Sequence, residues 1–229
     1  LERSIPNSKT VWQVEKDPYA RAVLAKHWPE TKRFENVEKV GARNLEPVDL
    51  ICGGFPCQDL SIAGKQAGID GARSGLWREF ARIIGEIRPR FVVVENVTAL
   101  LNGGLDRVLG DMAARGYDAV WDCIPAQAVG AHHRRDRLFI VATMANADSA
   151  RLQGRFGEVM RECTGERITG QGGTRSGKLS DHWLAEPGLG RVANGISRRV
   201  DRLKCLGNAV VPQVAAVIGR VVVQLEGLG

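Results

Sequence analysis

No stretch of the 229 residues approaches the roughly 20 consecutive apolar positions that a bilayer-crossing helix needs. The N-terminus lacks the basic-then-apolar layout of a secretory leader, so no membrane is expected as a partner and a cytoplasmic setting is. Cysteine is sparse. The five present (Cys52, Cys57, Cys123, Cys163, Cys205) are odd in number, scattered and free of any CxxC pair, which argues against a disulfide framework and against a zinc site. There is no internal repeat, and no excess of acidic residues: 32 Lys and Arg stand against 26 Asp and Glu, a net charge of +6 that tilts the balance towards polyanionic partners without establishing one. What is present is 44% hydrophobic residues, enough to bury one core and a small appended lobe.

Hydrophobic period and Gly/Pro punctuation alternate between strand and helix through the first two-thirds of the chain. Strands are expected at Val11–Val14, Val48–Cys52 and Phe91–Glu95, and near Tyr117–Ile124 and Arg137–Ala142. Helices are expected at Pro18–His27, Leu76–Ile87 and Leu105–Arg115, the last stopped by Gly116. This rhythm implies an α/β fold with a doubly wound, mostly parallel sheet whose ligands sit at the carboxyl ends of its strands. From Thr143 to Arg199 the chain is rich in Gly, Ser, Thr and Arg with little periodicity, which reads as a small irregular lobe or insertion. Pro212 then opens an apolar C-terminal helix.

Four segments carry residues suited to chemistry. Ile51 to Ser61, "ICGGFPCQDLS", leaves an apolar strand and enters a Gly/Pro-shaped loop that would expose Cys57 at the strand's carboxyl end; basic neighbours such as Lys65, Arg73, Arg135 or Arg137 would favour its thiolate. The plain alternative, a small buried hydrophobe, is assigned to Cys52. Glu95-Asn96-Val97 follows an apolar strand, "GAHHRRDRLFIVA" leads into another, and "LGNAVVPQVA" precedes the last helix. Taken singly, a Glu ending a strand is usually solvated and an Arg-rich run is usually an exposed edge.

Taken together and in this order, the four resemble the motifs of the DNA (cytosine-5)-methyltransferases. The resemblance implies a methyl transfer from S-adenosyl-L-methionine to carbon 5 of a cytosine flipped out of double-stranded DNA. Cys57 would add to carbon 6 of the ring, Glu95 would stabilise the adduct at N3 and the exocyclic amine, and Arg137 would hold the base at O2 with Arg135 in support on the same strand face. For the cofactor it implies Glu15 on the ribose hydroxyls, with Asn36, Pro56, Leu76 and Asn208 as further contacts; Gln58, Ser61 and Lys65 would meet DNA, and no metal is implied. Residues 1–142 would form the catalytic domain, 143–199 a target-recognition region with Arg151, Arg155, Arg161, Arg167, Arg175 and Lys178 available to phosphates, and 200–229 a return to the catalytic domain. A cognate restriction endonuclease is a candidate partner and a monomer is expected.

Some features depart from that pattern. The family's opening strand and glycine-rich turn are not seen before "LERSIPNSKTVWQVEKD", so the chain reads as truncated there and is expected to bind the cofactor weakly or not at all. Lys16 stands where an aromatic is common, Asn36 where an Asp is usual, and His133 where many members have Gln. The competing readings are a catalytically silent DNA-binding remnant, a transfer-RNA cytosine methyltransferase, and a thiol oxidoreductase, for which Cys52 is poorly placed as a resolving cysteine.

Overall fold

A computed structural model describes residues 1–56, 75–145, 149–164 and 199–227. Its strands are β1 (Trp12–Val14), β2 (Lys32–Phe34), β3 (Leu50–Gly54), β4 (Phe91–Val97), β5 (Tyr117–Pro125) and β6 (Asp136–Met144). Its helices are α1 (Pro18–His27), α2 (Leu76–Ile87), α3 (Leu105–Ala113), α4 (Ser149–Thr164), α5 (Arg199–Asn208) and α6 (Pro212–Glu226). Local signals explain the sharpest boundaries. Asp17 caps α1, its Oδ1 accepting from the backbone N–H groups of Tyr19 and Ala20 at 2.9 and 3.1 Å, while Pro18 occupies the first turn where a missing N–H costs nothing.

Strands β3, β4, β6 and β5 form a sheet in that order, and β1 pairs with β2 in a second, two-stranded sheet. The pairs β1–β2 and β3–β4 are parallel; β6 runs antiparallel to both β4 and β5. That last direction follows from the short link over residues 126–135, too brief for the helical crossover a parallel neighbour would need.

Helices cover both faces, which is why "FVVV" in β4 is apolar at consecutive positions instead of alternating. Phe91 and Val93 point towards α4 and α6, packing with Phe139, Val141, Phe156, Val217 and Ile218. Val92 and Val94 point the other way, against Trp77 and Ile84 of α2 and Val108 and Met112 of α3. A third cluster joins β3 and α2 to the small sheet through Ile51, Ile83, Val40 and Leu45, with Trp12, Val14 and Phe34 packed against it. The chain's first residues close the other flank: Leu1 and Ile5 lie on the α6 cluster, and Gly219 of α6 has no side chain because Ser4 fills the space a Cβ would need.

Several expectations need correction. The stretch from Thr143 is not irregular throughout: its residues 149–164 form α4, because Leu152, Phe156, Val159 and Met160 recur at helical spacing and are buried on the sheet. Strand β2 was not anticipated, and the regular structure expected to return at Arg199 does so as helix α5, ahead of the helix opened by Pro212. By length and mean hydropathy alone, Val200–Glu226 reaches the range of a membrane-crossing segment, although Asp201, Arg202, Lys204 and Arg220 interrupt it. Core packing accounts for that apolarity, since Val214, Val217, Ile218, Val221, Val222 and Leu225 of α6 are buried within the protein. Cys52 is exposed, not buried; on β3 it alternates with the buried Ile51, and among the described residues β3 is at the edge of its sheet.

Candidate active site

The carboxyl ends of β3 and β4 lie side by side because their register pairs Gly54 with Glu95. A side chain at Gly54 would press on the Glu95 backbone oxygen at 3.0 Å and on its carboxylate at 3.2 Å, so glycine leaves Glu95 room to lie across the strand end. In the antiparallel ladder Glu95 opposes Phe139 and Val97 opposes Arg137. Glu95 and Arg137 are therefore diagonal neighbours on the sheet face that also carries Phe91 and Val93. Arg137 Nε reaches Glu95 Oε1 at 3.1 Å, with about a fifth of each side chain exposed. Burial pushes the Glu95 carboxyl pKa up, and the nearby Arg137 and Arg135 charges oppose that rise only in part. A carboxyl held in this way retains its proton to higher pH than an ordinary glutamate, which suits a donor to a ring nitrogen.

The neighbouring residue, Asn96, is buried and was not among the candidates. Its Nδ2 donates to Phe55 O at 3.2 Å and its Oδ1 accepts from the Val97 N–H at 2.8 Å, so it ties the end of β4 to the residues leaving β3. Phe55 is further held against Trp77, the ring centroids 5.3 Å apart. The tripeptide Glu95-Asn96-Val97 carried this signal, but a buried amide cannot be told from a surface one by sequence. Cys57, Gln58, Ser61 and Lys65 lie outside the described residues, and exposed Pro56 is the last described residue before them.

Arg135 lies one residue before β6, with a left-handed backbone (φ 35°), and lines a small pocket together with Arg137 and Phe139. Its Nη2 donates to the backbone oxygens of Gly207 and Ala209, at 2.7 and 2.6 Å.

A second centre is an open cleft of about 340 Å³ lined by Glu15, Asp17, Ala20, Val23, Leu24, Lys204, Cys205, Asn208 and Ala209. It brings Glu15 and Asn208 together although 192 intervening positions separate them in sequence. Glu15 Oε1 accepts from the Asp17 N–H at 2.7 Å, and the Glu15 N–H donates to Phe34 O of β2 at 3.0 Å. Lys204 Nζ meets Asp17 Oδ2 at 2.6 Å, and this contact pulls the Asp17 pKa below the ordinary value. Carboxylates beside the small apolar wall of Ala20, Val23 and Leu24 suit a ligand with vicinal hydroxyls and a flat apolar part, and the volume lies at the lower end of small-molecule sites. Asn36, Pro56 and Leu76 do not line this cleft. Asn36 caps the single turn Val37–Lys39, its Oδ1 accepting from the Glu38 N–H at 2.9 Å, and Leu76 is the half-buried first residue of α2. Asp17 and Lys204 were missed; the Asp17-Pro18 step marked a helix cap, and nothing in the sequence marked its ion pair.

The fold is shared with solved methyltransferases. A structure of the Entamoeba histolytica methyltransferase EhMeth superposes with a TM-score of 0.53 at 16% identity, covering 64% of this chain and 49% of that one. A Spodoptera frugiperda DNMT2 structure gives 0.50 at 19% identity over 62% and 44%. At the level of sequence, the C-5 cytosine-specific DNA methylase profile matches residues 3–162, and the chain belongs to that family. It is 37% identical over 141 residues to the type II methyltransferase M2.BsuMI of Bacillus subtilis, a match covering 57% of this chain and 35% of that protein. To the type II methyltransferase M.HhaI of Haemophilus parahaemolyticus it is 31% identical over 138 residues, covering 58% and 42%. The chain thus spans well under half the length of these curated relatives.

Proposed function

We propose that this chain carries the catalytic centre of a DNA (cytosine-5)-methyltransferase acting on a flipped cytosine in duplex DNA, with Cys57 as nucleophile and S-adenosyl-L-methionine as methyl donor. The observation that supports this most directly is the Glu95–Arg137 pair at the strand ends, its carboxyl pKa raised by burial. Arg137 presents a guanidinium to the base's O2, and protonated Glu95 donates to N3 as electron density moves into the ring. Cys57 Sγ forms the bond to carbon 6, the ring's C5–C6 double bond gives up its electrons towards N3, and carbon 5 of the resulting enamine becomes nucleophilic. When bound, S-adenosyl-L-methionine supplies an electrophilic methyl group. Carbon 5 would take that methyl group as the donor's sulfur leaves as a neutral thioether; the N3 proton returns to Glu95, a base removes the carbon 5 proton, and expulsion of the thiolate restores the aromatic ring and frees Cys57.

The cleft of Glu15 and Asn208 fits the cofactor's nucleoside by its chemistry: Glu15 would accept from the ribose hydroxyls and Asn208 would offer an amide from the facing side. Target recognition is assigned to residues 143–199. Within it, α4 commits its apolar side to the core and leaves Arg155 and Arg161 exposed for phosphate contacts.

The test is duplex DNA carrying 5-fluorocytosine, incubated with the chain and S-adenosyl-L-methionine and analysed by peptide mass spectrometry. A methylated covalent adduct on Cys57 is expected, because fluorine at carbon 5 blocks the final elimination. An adduct on a different cysteine would overturn the assignment. DNA binding without any adduct or cofactor binding would favour the catalytically silent reading.

A further inference from the structure

Arg135 is well placed to influence a residue it does not itself replace. Its Nη2 bridges the carbonyls of Gly207 and Ala209, the two residues that flank Asn208, so the backbone on both sides of that amide is held by one cation. The site is the end of α5, where the last carbonyls of a helix lack intrahelical partners and the helix dipole is negative. A guanidinium there makes charge-assisted hydrogen bonds, stronger than those a neutral donor would make. On its other side Arg135 adjoins the base-facing pair: it shares a small pocket with Arg137, Phe139 and Val211, and its charge acts on Glu95. Arg134 does not substitute, because its Nε is engaged by Asp136 at 2.8 Å and the side chain is largely exposed.

We infer that Arg135 is a positioning residue for the cofactor cleft: by clamping Gly207 and Ala209 it sets the orientation of Asn208 towards Glu15, and it fixes that cleft relative to the Glu95–Arg137 pair. The inference rests on the proposed reading of the cleft as the cofactor site. Arg135 touches neither base nor cofactor in this role, so its removal weakens cofactor binding by way of Asn208. Clamping through backbone oxygens also means that the effect of Arg135 is expressed only while residue 208 carries its amide.

A double-mutant cycle on the full chain reads this directly, with S-adenosylhomocysteine as the calorimetric probe and thermal melting as the folding check. Arg135→Met is expected to weaken binding about tenfold, the scale of one charge-assisted hydrogen bond. Arg135→Lys should recover part of that loss, since its ammonium still reaches one carbonyl. In an Asn208→Ala background Arg135→Met should add almost nothing, whereas a merely structural role would produce the same loss in both backgrounds. If wild type does not bind the probe, the reading of the cleft fails and this inference fails with it. If wild type binds and Arg135→Met binds equally well, or if the two substitutions are additive, the inference alone is overturned. Should Arg135→Met fail to fold, the same cycle with Arg135→Lys decides, and additivity there overturns it.

Discussion

Glu95 and Arg137 meet at 3.1 Å across the antiparallel β4–β6 ladder, diagonal neighbours on one sheet face at the end where β3 also stops. Neither side chain is fully withdrawn from water, yet burial raises the pKa of Glu95 despite the adjoining cations. The folded protein therefore holds this proton more tightly than the unfolded chain does, and that difference carries consequences for both catalysis and stability.

Glu95→Gln should lower the single-turnover methylation rate by about 10² to 10⁴, the range of general acid–base catalysis, with little change in DNA affinity. The wild-type rate should fall as pH rises through the raised Glu95 pKa, and the Gln variant should lack that limb. A variant within about threefold of wild type would remove Glu95 from the mechanism.

The same proton has a stability signature. Because the folded-state pKa of Glu95 lies above the ordinary value of 4.5, the stability it contributes is fully present below 4.5 and is lost as pH rises through the folded value. Urea unfolding at a series of pH values should show wild type losing stability relative to Glu95→Gln over that window. A difference independent of pH would contradict it.

Asn96→Ala removes the donor to Phe55 O and the acceptor for the Val97 N–H in a buried setting. Leaving those backbone groups unpaired should cost about 1–3 kcal/mol in chemical denaturation. Adduct formation at Cys57 should slow as well, because Phe55 then loses its tie to β4. Unchanged stability would show that water replaces both bonds.

Ile218→Ala tests whether α6 is a core helix. Ile218 is fully buried between α6 and the sheet, so truncation should destabilise the protein by about 2–5 kcal/mol, read as a shifted urea midpoint with an unchanged slope. An effect below about 0.5 kcal/mol, the level of an exposed surface position, would mean that this helix does not pack as described.

The sequence by itself determined the elements whose signals are local. Helix α1 begins at Pro18 because Asp17 and Pro18 form a cap within three residues, and α2 spans the expected Leu76–Ile87 because its apolar spacing is helical throughout. Glu95 and Arg137 were also legible, through the motifs that place them at the ends of two apolar strands. Only the tertiary structure decided how distant segments combine. The direction of β6 depends on a link too short for a crossover, α4 shows its helical face only where Leu152, Phe156, Val159 and Met160 find a sheet to cover, and Glu15 shares a cleft with Asn208 only because α5 folds back to α1. Arg135 is the clearest case: its motif offered it as a partner of Arg137, and only the folded chain brings its guanidinium to the carbonyls of Gly207 and Ala209, more than 70 positions away. Local propensity sets φ and ψ within a few residues; which backbone oxygens a long cation then reaches is set by packing of the whole chain.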